Sequence, residues 1–413
     1  MKRISSVVFS IVLMWVGWFV VLYGIQSVTA MRLNLERPDQ AVAWSAQETT
    51  LENHIQNPLL ADPFMNEQVS WDSEYYLSIA LYGYDDDGEG MDWVRSSKTG
   101  EERSLNYAFF PLYPQLMKVF YLVVKPFTLD MTDLARGVLA GVIASLLGTL
   151  AAMFALYDLM RDELDENERL RAVFYFLIFP SAFFLAMVYT EGVFMGISFW
   201  VLALSKRGKW GWASLLAIFA PWTRAVGAAL AIPLGIRWLM SFSFKRPIKE
   251  QLNLKFFLQG LFATLPGLSY YAWRYSDLGR GWEVAQEWFG RTELGIEQTI
   301  GAYTWQLEHA AEYPASQVYF ALEFFCLGLA LITTLIYLRR DPAIALFGLA
   351  VIVLSGLSGG GQGLARYVLP VPAIYLVLAR WGRNPAFDRT WTIASVFIMG
   401  LSAVLFAFDF WVG

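Results

Sequence analysis

Residues 70–85 read SWDSEYYLSIALYGYD and set two carboxylates, Asp72 and Glu74, among aromatic side chains in a strongly apolar chain. An ionised carboxylate can act as a general base toward a substrate hydroxyl. Asp is equally suited to cap the N-terminus of a helix, where it accepts hydrogen bonds from free backbone N–H groups. The residues alone leave both roles open for Asp72, and they favour a solvated or supporting role for Glu74.

Three further ionisable residues interrupt apolar sequence elsewhere in the chain. Glu191 stands in MVYTEGVF, Arg224 in PWTRAVG and Arg366 in GGGQGLARYVLP. Charged groups at membrane depth are costly and usually mark function. A guanidinium donates two parallel hydrogen bonds to a phosphate, although an arginine at a helix end also snorkels to lipid headgroups. The glycines before Arg366 can bring backbone N–H groups to an anion, and Glu191 can also be a plain turn residue.

The elements that position these residues are predicted to be membrane helices. Of the 413 residues, 56% are hydrophobic and 16% are aromatic. Several runs approach the roughly 20 apolar residues that cross a bilayer. We therefore predict an all-α polytopic membrane protein with a single integral-membrane domain, 1–413. The first run, Ser5–Ile25, is predicted to be an anchor, because its apolar part is too long for a signal peptide.

Further candidate spans follow the anchor. They lie at about 133–157, 172–189, 191–205, 211–222, 224–240, 256–273, 316–338, 343–357, 365–379 and 391–410. The two runs within 211–240 are short, so they can also be one broken helix. The segment 106–127 is interrupted by Pro111 and Pro114, and it can either cross the membrane or lie at its interface.

Loop charge decides between these topologies. If 106–127 does not cross, the basic clusters of the short loops all fall on the side of Lys2 and Arg3, as the positive-inside rule requires. This predicts about eleven spans, with ten to twelve plausible. It also predicts a large outer first loop over 26–130, which carries interfacial helices, and a second large outer loop over 274–315. Asp72, Glu191, Arg224 and Arg366 then all lie at outer helix ends.

Composition also bounds the partners and the cofactors. Residues 32–106 hold fifteen acidic and five basic residues, which argues against nucleic-acid binding. One cysteine and two histidines offer no Cys/His metal cluster. The stretch YDDDGEGMD (84–92) lacks the ligand order of an EF-hand. We predict no metal site and no cofactor, although a divalent cation near Asp85–Asp87 stays possible.

Five segments together resemble the PIG-V family of integral-membrane mannosyltransferases, which includes the enzyme that adds the second mannose in GPI-anchor synthesis. The most specific pattern is W-D-x-x-aromatic-aromatic followed by F-F-P-x-Y-P. The matching segments are WDSEYYLSIALYGY (71–84), NYAFFPLYPQL (106–116), FPSAFFLAMVYTEGVFM (179–195), PWTRAVGAALAIP (221–233) and ARYVLPVPAIYL (365–376).

The resemblance implies a GT-C glycosyltransferase fold and an inverting transfer of mannose from a polyprenyl- or dolichyl-phosphate-mannose donor to a lipid or surface-glycan acceptor. In that reading Asp72 is the catalytic base, and Arg366 and Arg224 bind the donor phosphate. Four residues are then expected at the sugar or substrate site: Trp71, Glu74, Tyr76 and Glu191.

The resemblance also implies a place for the protein in the cell. It points to a prokaryotic relative in the cell membrane, or to the endoplasmic reticulum if the protein is eukaryotic, with the active site on the outer face. Two alternative interpretations, in which the protein is not a glycosyltransferase, stay open. One is a transporter or flippase of a lipid-linked or anionic substrate, for which no internal repeat is visible. The other is a non-enzymatic subunit of a membrane glycan-assembly complex.

Overall fold

The computed structural model describes most of the chain as packed α-helices. It covers residues 2–33, 67–86, 93–97, 99–243, 245, 247–292, 294–309, 314–359, 362–408 and 410–412. Much of the predicted first outer loop before Glu67 therefore lies outside the described residues, as does most of the acidic stretch 84–92.

The described elements form one helical series with a single short hairpin. The helices are α1 (Lys2–Arg32), α2 (Asp72–Leu81), α3 (Leu112–Val124), α4 (Asp133–Leu159), α5 (Glu166–Leu177), α6 (Glu191–Lys206), α7 (Trp210–Phe219), α8 (Ala231–Ser241), α9 (Ile248–Gln251), α10 (Leu254–Arg274), α11 (Asp277–Arg280), α12 (Trp282–Trp288), α13 (Ile296–His309), α14 (Pro314–Tyr337), α15 (Pro342–Gly356), α16 (Leu364–Tyr367), α17 (Pro372–Trp381) and α18 (Pro385–Ala407). Strands β1 (Trp93–Arg95) and β2 (Glu102–Ser104) pair antiparallel, with Trp93 opposite Ser104.

The prediction of a multi-pass, all-α membrane protein is confirmed. Among the described residues, four helices are long and apolar enough to cross a bilayer, namely α1, α4, α14 and α18. Residues 225–241 and α15 are apolar but shorter. The number of about eleven spans stays a prediction. The anchor extends beyond Ile25 to Arg32, because Gln26 to Met31 contain neither glycine nor proline.

The two ambiguous segments have distinct structures. Residues 106–127 hold a 3₁₀ turn and α3, whose 13 residues are fewer than the roughly 20 needed to cross a bilayer. Residues 211–240 are broken, because α7 ends at Phe219 and 3₁₀ turns separate it from α8. Arg224 stands at the break in extended conformation, with φ −155° and ψ 138°.

Close packing of α4 on α6 fixes the start of α6. Gly192 and Gly196 form a G-x-x-x-G pattern, which allows helix backbones in membranes to approach closely. A Cβ atom on Gly192 would lie 2.4 Å from the carbonyl oxygen of Ser145 in α4. The residue before Gly192 is Glu191, so this contact also places the Glu191 carboxylate.

The opposite end of α6 meets a layer of ion pairs. Lys206 Nζ lies 2.5 Å from Glu163 Oε1, and Arg380 Nη2 lies 3.1 Å from Glu163 Oε2. Arg207 pairs with Asp158. At about 1.5 Å per residue, the two ends of α6 are about 22 Å apart. Basic loops therefore gather at one end of the bundle and Glu191 lies at the other.

Candidate active site

Asp72 is the first residue of α2, and its carboxylate is bound by an arginine. The residue before it, Trp71, occupies the N-cap position without a side-chain capping bond, so Asp72 is not the helix cap. Trp71 has φ 59° and ψ −116°, and it is the only non-glycine residue with positive φ in the part of the chain that is described. Such backbone strain costs about 1–3 kcal/mol and clusters at functional sites.

Arg366 lies at the centre of the site, with a side chain only 4% exposed. Its Nη1 donates to Asp72 Oδ2 at 2.9 Å, and its Nε lies 3.6 Å from Glu191 Oε1. Arginine is not deprotonated in proteins, and two carboxylates lie beside this guanidinium. The guanidinium therefore stays charged and holds Asp72 in place.

Glu191 joins the second arginine to this centre. Its side chain is 1% exposed, and its Oε1 accepts a hydrogen bond from Arg224 Nη1. Arg224 Nη1 also lies 3.4 Å from Thr190 Oγ1. A buried carboxylate needs such partners because desolvation of an unpaired charge is expensive. Residues from four separate parts of the sequence thus form one connected cluster: Asp72, Arg366, Glu191 and Arg224.

This cluster faces a cleft of about 410 Å³. Asp72, Arg224, Arg366 and a further arginine, Arg291, line it. The other walls are largely aromatic or aliphatic and include Phe109, Phe110, Val226, Tyr270, Trp282 and Leu354. Guanidinium groups inside apolar walls suit an amphiphile that carries a phosphate.

The remaining predicted site residues divide between the cleft and the packing around it. Tyr76 lines the cleft, and its ring packs edge-on against Tyr113 with centroids 5.2 Å apart. Trp71 lies outside the lining and packs edge-to-face on Trp411, with centroids 4.8 Å apart. Tyr75 is 2% exposed and stacks on Phe109. Tyr76 therefore lines the cleft, whereas Trp71 belongs to the packing around it; their roles at the substrate site stay predictions.

Glu74 differs from the expectation of a solvated carboxylate. It is 3% exposed and lies on the buried side of α2, outside the lining of the cleft. The expected solvated alternative is therefore wrong, because almost the whole of α2 after Asp72 is buried against neighbouring helices. A supporting role for Glu74 stays a prediction.

The glycine-rich loop before Arg366 binds an internal carboxylate. Gly363 adopts φ 77°, and the backbone N–H groups of Leu364 and Ala365 both donate to Glu323 Oε2, the second at 3.2 Å. Among the described residues of this loop, these N–H groups are occupied by Glu323 rather than left for a ligand. The contact fixes α16 and therefore Arg366.

Arg291 and Tyr367 line the cleft, and neither was singled out from the sequence. Arg291 lies between α12 and α13, where its backbone N–H donates to Ala285 O at 3.0 Å. The next N–H, of Thr292, donates to Ser358 O at 2.8 Å and ties the loop to the end of α15. Nothing in the local pattern separates Arg291 from the other loop arginines. The position of Tyr367 directly after Arg366 was the one feature of the sequence that could have indicated a place near the site.

The acidic stretch after α2 is partly described. Asp85 Oδ1 accepts a hydrogen bond from Tyr107 at 2.6 Å, and Asp86 Oδ2 accepts one from Ser78 at 2.7 Å. Burial and the bond to Asp85 raise the pKa of Tyr107 to about 12. The described residues contain no group of three or more His, Cys, Asp or Glu that could hold a metal ion. Asp87 lies outside the described residues.

Comparison with known proteins identifies a family. The profile of the family described as Mannosyltransferase (PIG-V) matches residues 16–265, more than half of the chain. GPI alpha-1,6-mannosyltransferase 2 of Mus musculus is 29% identical over 159 residues, which are 38% of this chain and 29% of the mouse protein. The match therefore spans less than a third of that relative.

Two solved structures show a loose likeness to this chain. ArnT from Cupriavidus metallidurans, bound to undecaprenyl phosphate, has a TM-score of 0.43 and 16% identity over 85% of this chain and 75% of its own. The oligosaccharyltransferase AglB from Archaeoglobus fulgidus, in complex with an inhibitory peptide and a dolichol-phosphate, has a TM-score of 0.41 and 12% identity. That match covers 96% of this chain and 55% of AglB.

Proposed function

This chain belongs to the PIG-V mannosyltransferase family, and on that premise we propose that it is an inverting glycosyltransferase. The donor is a polyprenyl- or dolichyl-phosphate mannose, and the acceptor is a hydroxyl of a lipid or surface glycan. The observation that carries the proposal is the pairing of Asp72 with Arg366 at the edge of a cleft that also holds Arg224 and Arg291.

The charge of the cluster favours a donor with one phosphate. Three guanidinium groups, of Arg224, Arg291 and Arg366, stand beside two carboxylates, of Asp72 and Glu191. The net charge of these five groups is therefore one positive unit. A lipid-phosphate sugar is a phosphodiester with one negative charge, whereas a diphosphate-linked sugar carries two. The donor of matching charge is therefore the monophosphate.

Asp72 is the proposed general base. Its side chain is 25% exposed, so an acceptor hydroxyl can reach it from the cleft. As the acceptor oxygen bonds to the anomeric carbon, its proton passes to Asp72, and the bond from that carbon to the phosphate oxygen breaks. Attack opposite the leaving phosphate inverts the anomeric centre. The arginines stabilise the charge that develops on the phosphate.

The walls of the cleft fit the rest of the donor. Val226 and Leu354 give an apolar surface for the first isoprene units, and Tyr76 stands beside Asp72 at the sugar end. Asp72 and Glu191 lie at the end of the bundle away from the basic loops. The positive-inside rule then favours an active site on the outer face of the membrane.

The proposal is tested with the purified protein reconstituted in sealed lipid vesicles, labelled polyprenyl-phosphate mannose and a panel of lipid and glycan acceptors. Transfer of label with inversion at the anomeric carbon is expected. Movement of intact donor between leaflets without any transfer would instead identify a flippase. Binding without either activity would identify an assembly subunit.

A further inference from the structure

Arg291 differs from the other two cleft arginines in its partners. Arg224 pairs with Glu191, and Arg366 pairs with Asp72 and Glu191. Arg291 instead donates to the hydroxyl of Tyr367 and lies 3.5 Å from Ser358 Oγ, and both of these groups are neutral. Among the described residues it is therefore the cleft cation that no carboxylate compensates.

Tyr367 is held between cations. Its hydroxyl oxygen accepts a hydrogen bond from Arg291 Nη2 and another from Arg366 Nη2 at 3.1 Å. Its ring lies against all three guanidinium carbons, at 4.9 Å for Arg366, 5.1 Å for Arg224 and 5.2 Å for Arg291. Both acceptor positions of the hydroxyl are thus used, and its remaining capacity is to donate its hydrogen.

Tyr367 also has access to the cleft. It lines the cleft together with Arg291 and Asp72, although only 8% of the residue is exposed. Within the described part of the chain, its O–H hydrogen has no acceptor at hydrogen-bonding distance. A ligand oxygen placed beside Arg291 can therefore accept this hydrogen.

We propose that Arg291 binds the phosphate of the lipid donor, and that the Tyr367 hydroxyl donates a hydrogen bond to the oxygen of that phosphate as it leaves. This inference rests on the proposed glycosyl transfer. When the bond from the anomeric carbon to oxygen breaks, its electron pair stays on the phosphate, whose charge rises from one to two negative units. The phenol keeps its proton and offers it as a hydrogen bond to that oxygen.

The electrostatics of the pair support this role. The ring of Tyr367 lies against three guanidinium groups, and their positive charge polarises the O–H bond. A more acidic hydroxyl is a stronger hydrogen-bond donor. Ionisation of a phenol at alkaline pH removes its hydrogen-bond donor, so activity is expected to fall when the Tyr367 hydroxyl ionises.

The first experiment removes the hydroxyl and keeps the ring. Tyr367→Phe is expected to lower kcat by about a hundredfold, as loss of one oxyanion donor does. Its affinity for the dianionic product, polyprenyl phosphate, falls by about tenfold, whereas its affinity for the monoanionic donor changes little. Arg291→Ala weakens binding of both lipids. Tyr303→Phe is the matched control, because that hydroxyl donates to Gly356 O outside the cleft.

The second experiment keeps the hydroxyl and the ring of Tyr367 and makes the hydroxyl more acidic. Replacement of Tyr367 by a fluorinated tyrosine is expected to preserve kcat at neutral pH and to move the alkaline limb of the kcat profile to lower pH. An unmoved limb, or wild-type kcat and product affinity in Tyr367→Phe, would overturn the inference. A third outcome separates the two proposals. If the wild type transfers no sugar but Tyr367→Phe and Arg291→Ala both bind polyprenyl phosphate more weakly, the phosphate site is supported and the proposed transfer is wrong.

Discussion

Arg366 Nη1 lies 2.9 Å from Asp72 Oδ2, joining two residues that are 294 positions apart in the chain. The arginine is almost fully buried, and the aspartate is partly open to the cleft. A charge-assisted hydrogen bond of this kind fixes the carboxylate in direction as well as in charge. We infer that Arg366 acts first on the base and only second on the donor phosphate.

Glu191→Gln is expected to damage both stability and transfer. Glu191 is buried and is shared by Arg224 and Arg366, so its neutralisation leaves two guanidinium groups with less compensation. Breaking a buried pair costs about 3–5 kcal/mol. The midpoint temperature of thermal unfolding in detergent should therefore fall strongly, and kcat should fall at least tenfold. Glu250→Gln, at an exposed position of α9, is the control. Wild-type stability in Glu191→Gln would contradict the pairing.

Glu323 is expected to position Arg366 through the backbone of α16. Glu323→Ala leaves the buried N–H groups of Leu364 and Ala365 without their acceptor, at about 1–3 kcal/mol each. Glu323→Gln retains a carbonyl acceptor and should recover most of the activity. The two variants are compared by thermal unfolding and by kcat. Equal losses would show that charge, and not the hydrogen bonds to α16, is what the site requires.

The backbone strain at Trp71 predicts that glycine destabilises the protein less than alanine does at this position. Both Trp71→Ala and Trp71→Gly lose the contact with Trp411, but only glycine adopts positive φ without cost. The glycine variant should therefore be the more stable of the two by about 1 kcal/mol. At Trp212, exposed in α7, the order should reverse, since glycine weakens a helix relative to alanine. Unfolding of all four variants measures both differences, and the same order at both positions would refute the strain.

The charge balance of the cleft predicts its donor preference. Competition between lipid monophosphate and lipid diphosphate should favour the monophosphate in the wild type. Asp72→Asn raises the net charge of the cleft by one, so it should shift that preference toward the diphosphate. Asp388→Asn, in the first turn of α18, is the control and should leave the ratio unchanged. A ratio that Asp72→Asn does not move would contradict the proposed match of charges.

The sequence was sufficient to predict the class of fold and the acid–base cluster. Apolar runs indicated membrane helices, and costly charges within them picked out Asp72, Glu191, Arg224 and Arg366. Their mutual contacts could not be predicted, because they depend on packing between distant helices such as α4 and α6. The sequence could not show that Arg366 would bind Asp72 directly.

Other features lay beyond any local pattern. Arg291 is one of several arginines in loops, and hydrogen bonds between its loop and distant residues such as Ser358 bring it to the cleft. Glu323 sits within an apolar helix, and its role depends on α16, which lies about forty residues further along the chain. The solvated alternative for Glu74 was wrong because the burial of α2 follows from tertiary packing. The sequence of α2 has no clear pattern of apolar and polar positions that would show this burial.

The most direct test of the central claim measures transfer and donor binding in Asp72→Asn. The variant keeps the shape of the side chain and a carbonyl acceptor for Arg366, but it cannot take a proton from the acceptor. We predict that mannose transfer from the labelled donor falls by at least a hundredfold while donor affinity stays within a few-fold of the wild type. Transfer at the wild-type rate by a folded Asp72→Asn protein would contradict the assignment of Asp72 as the base.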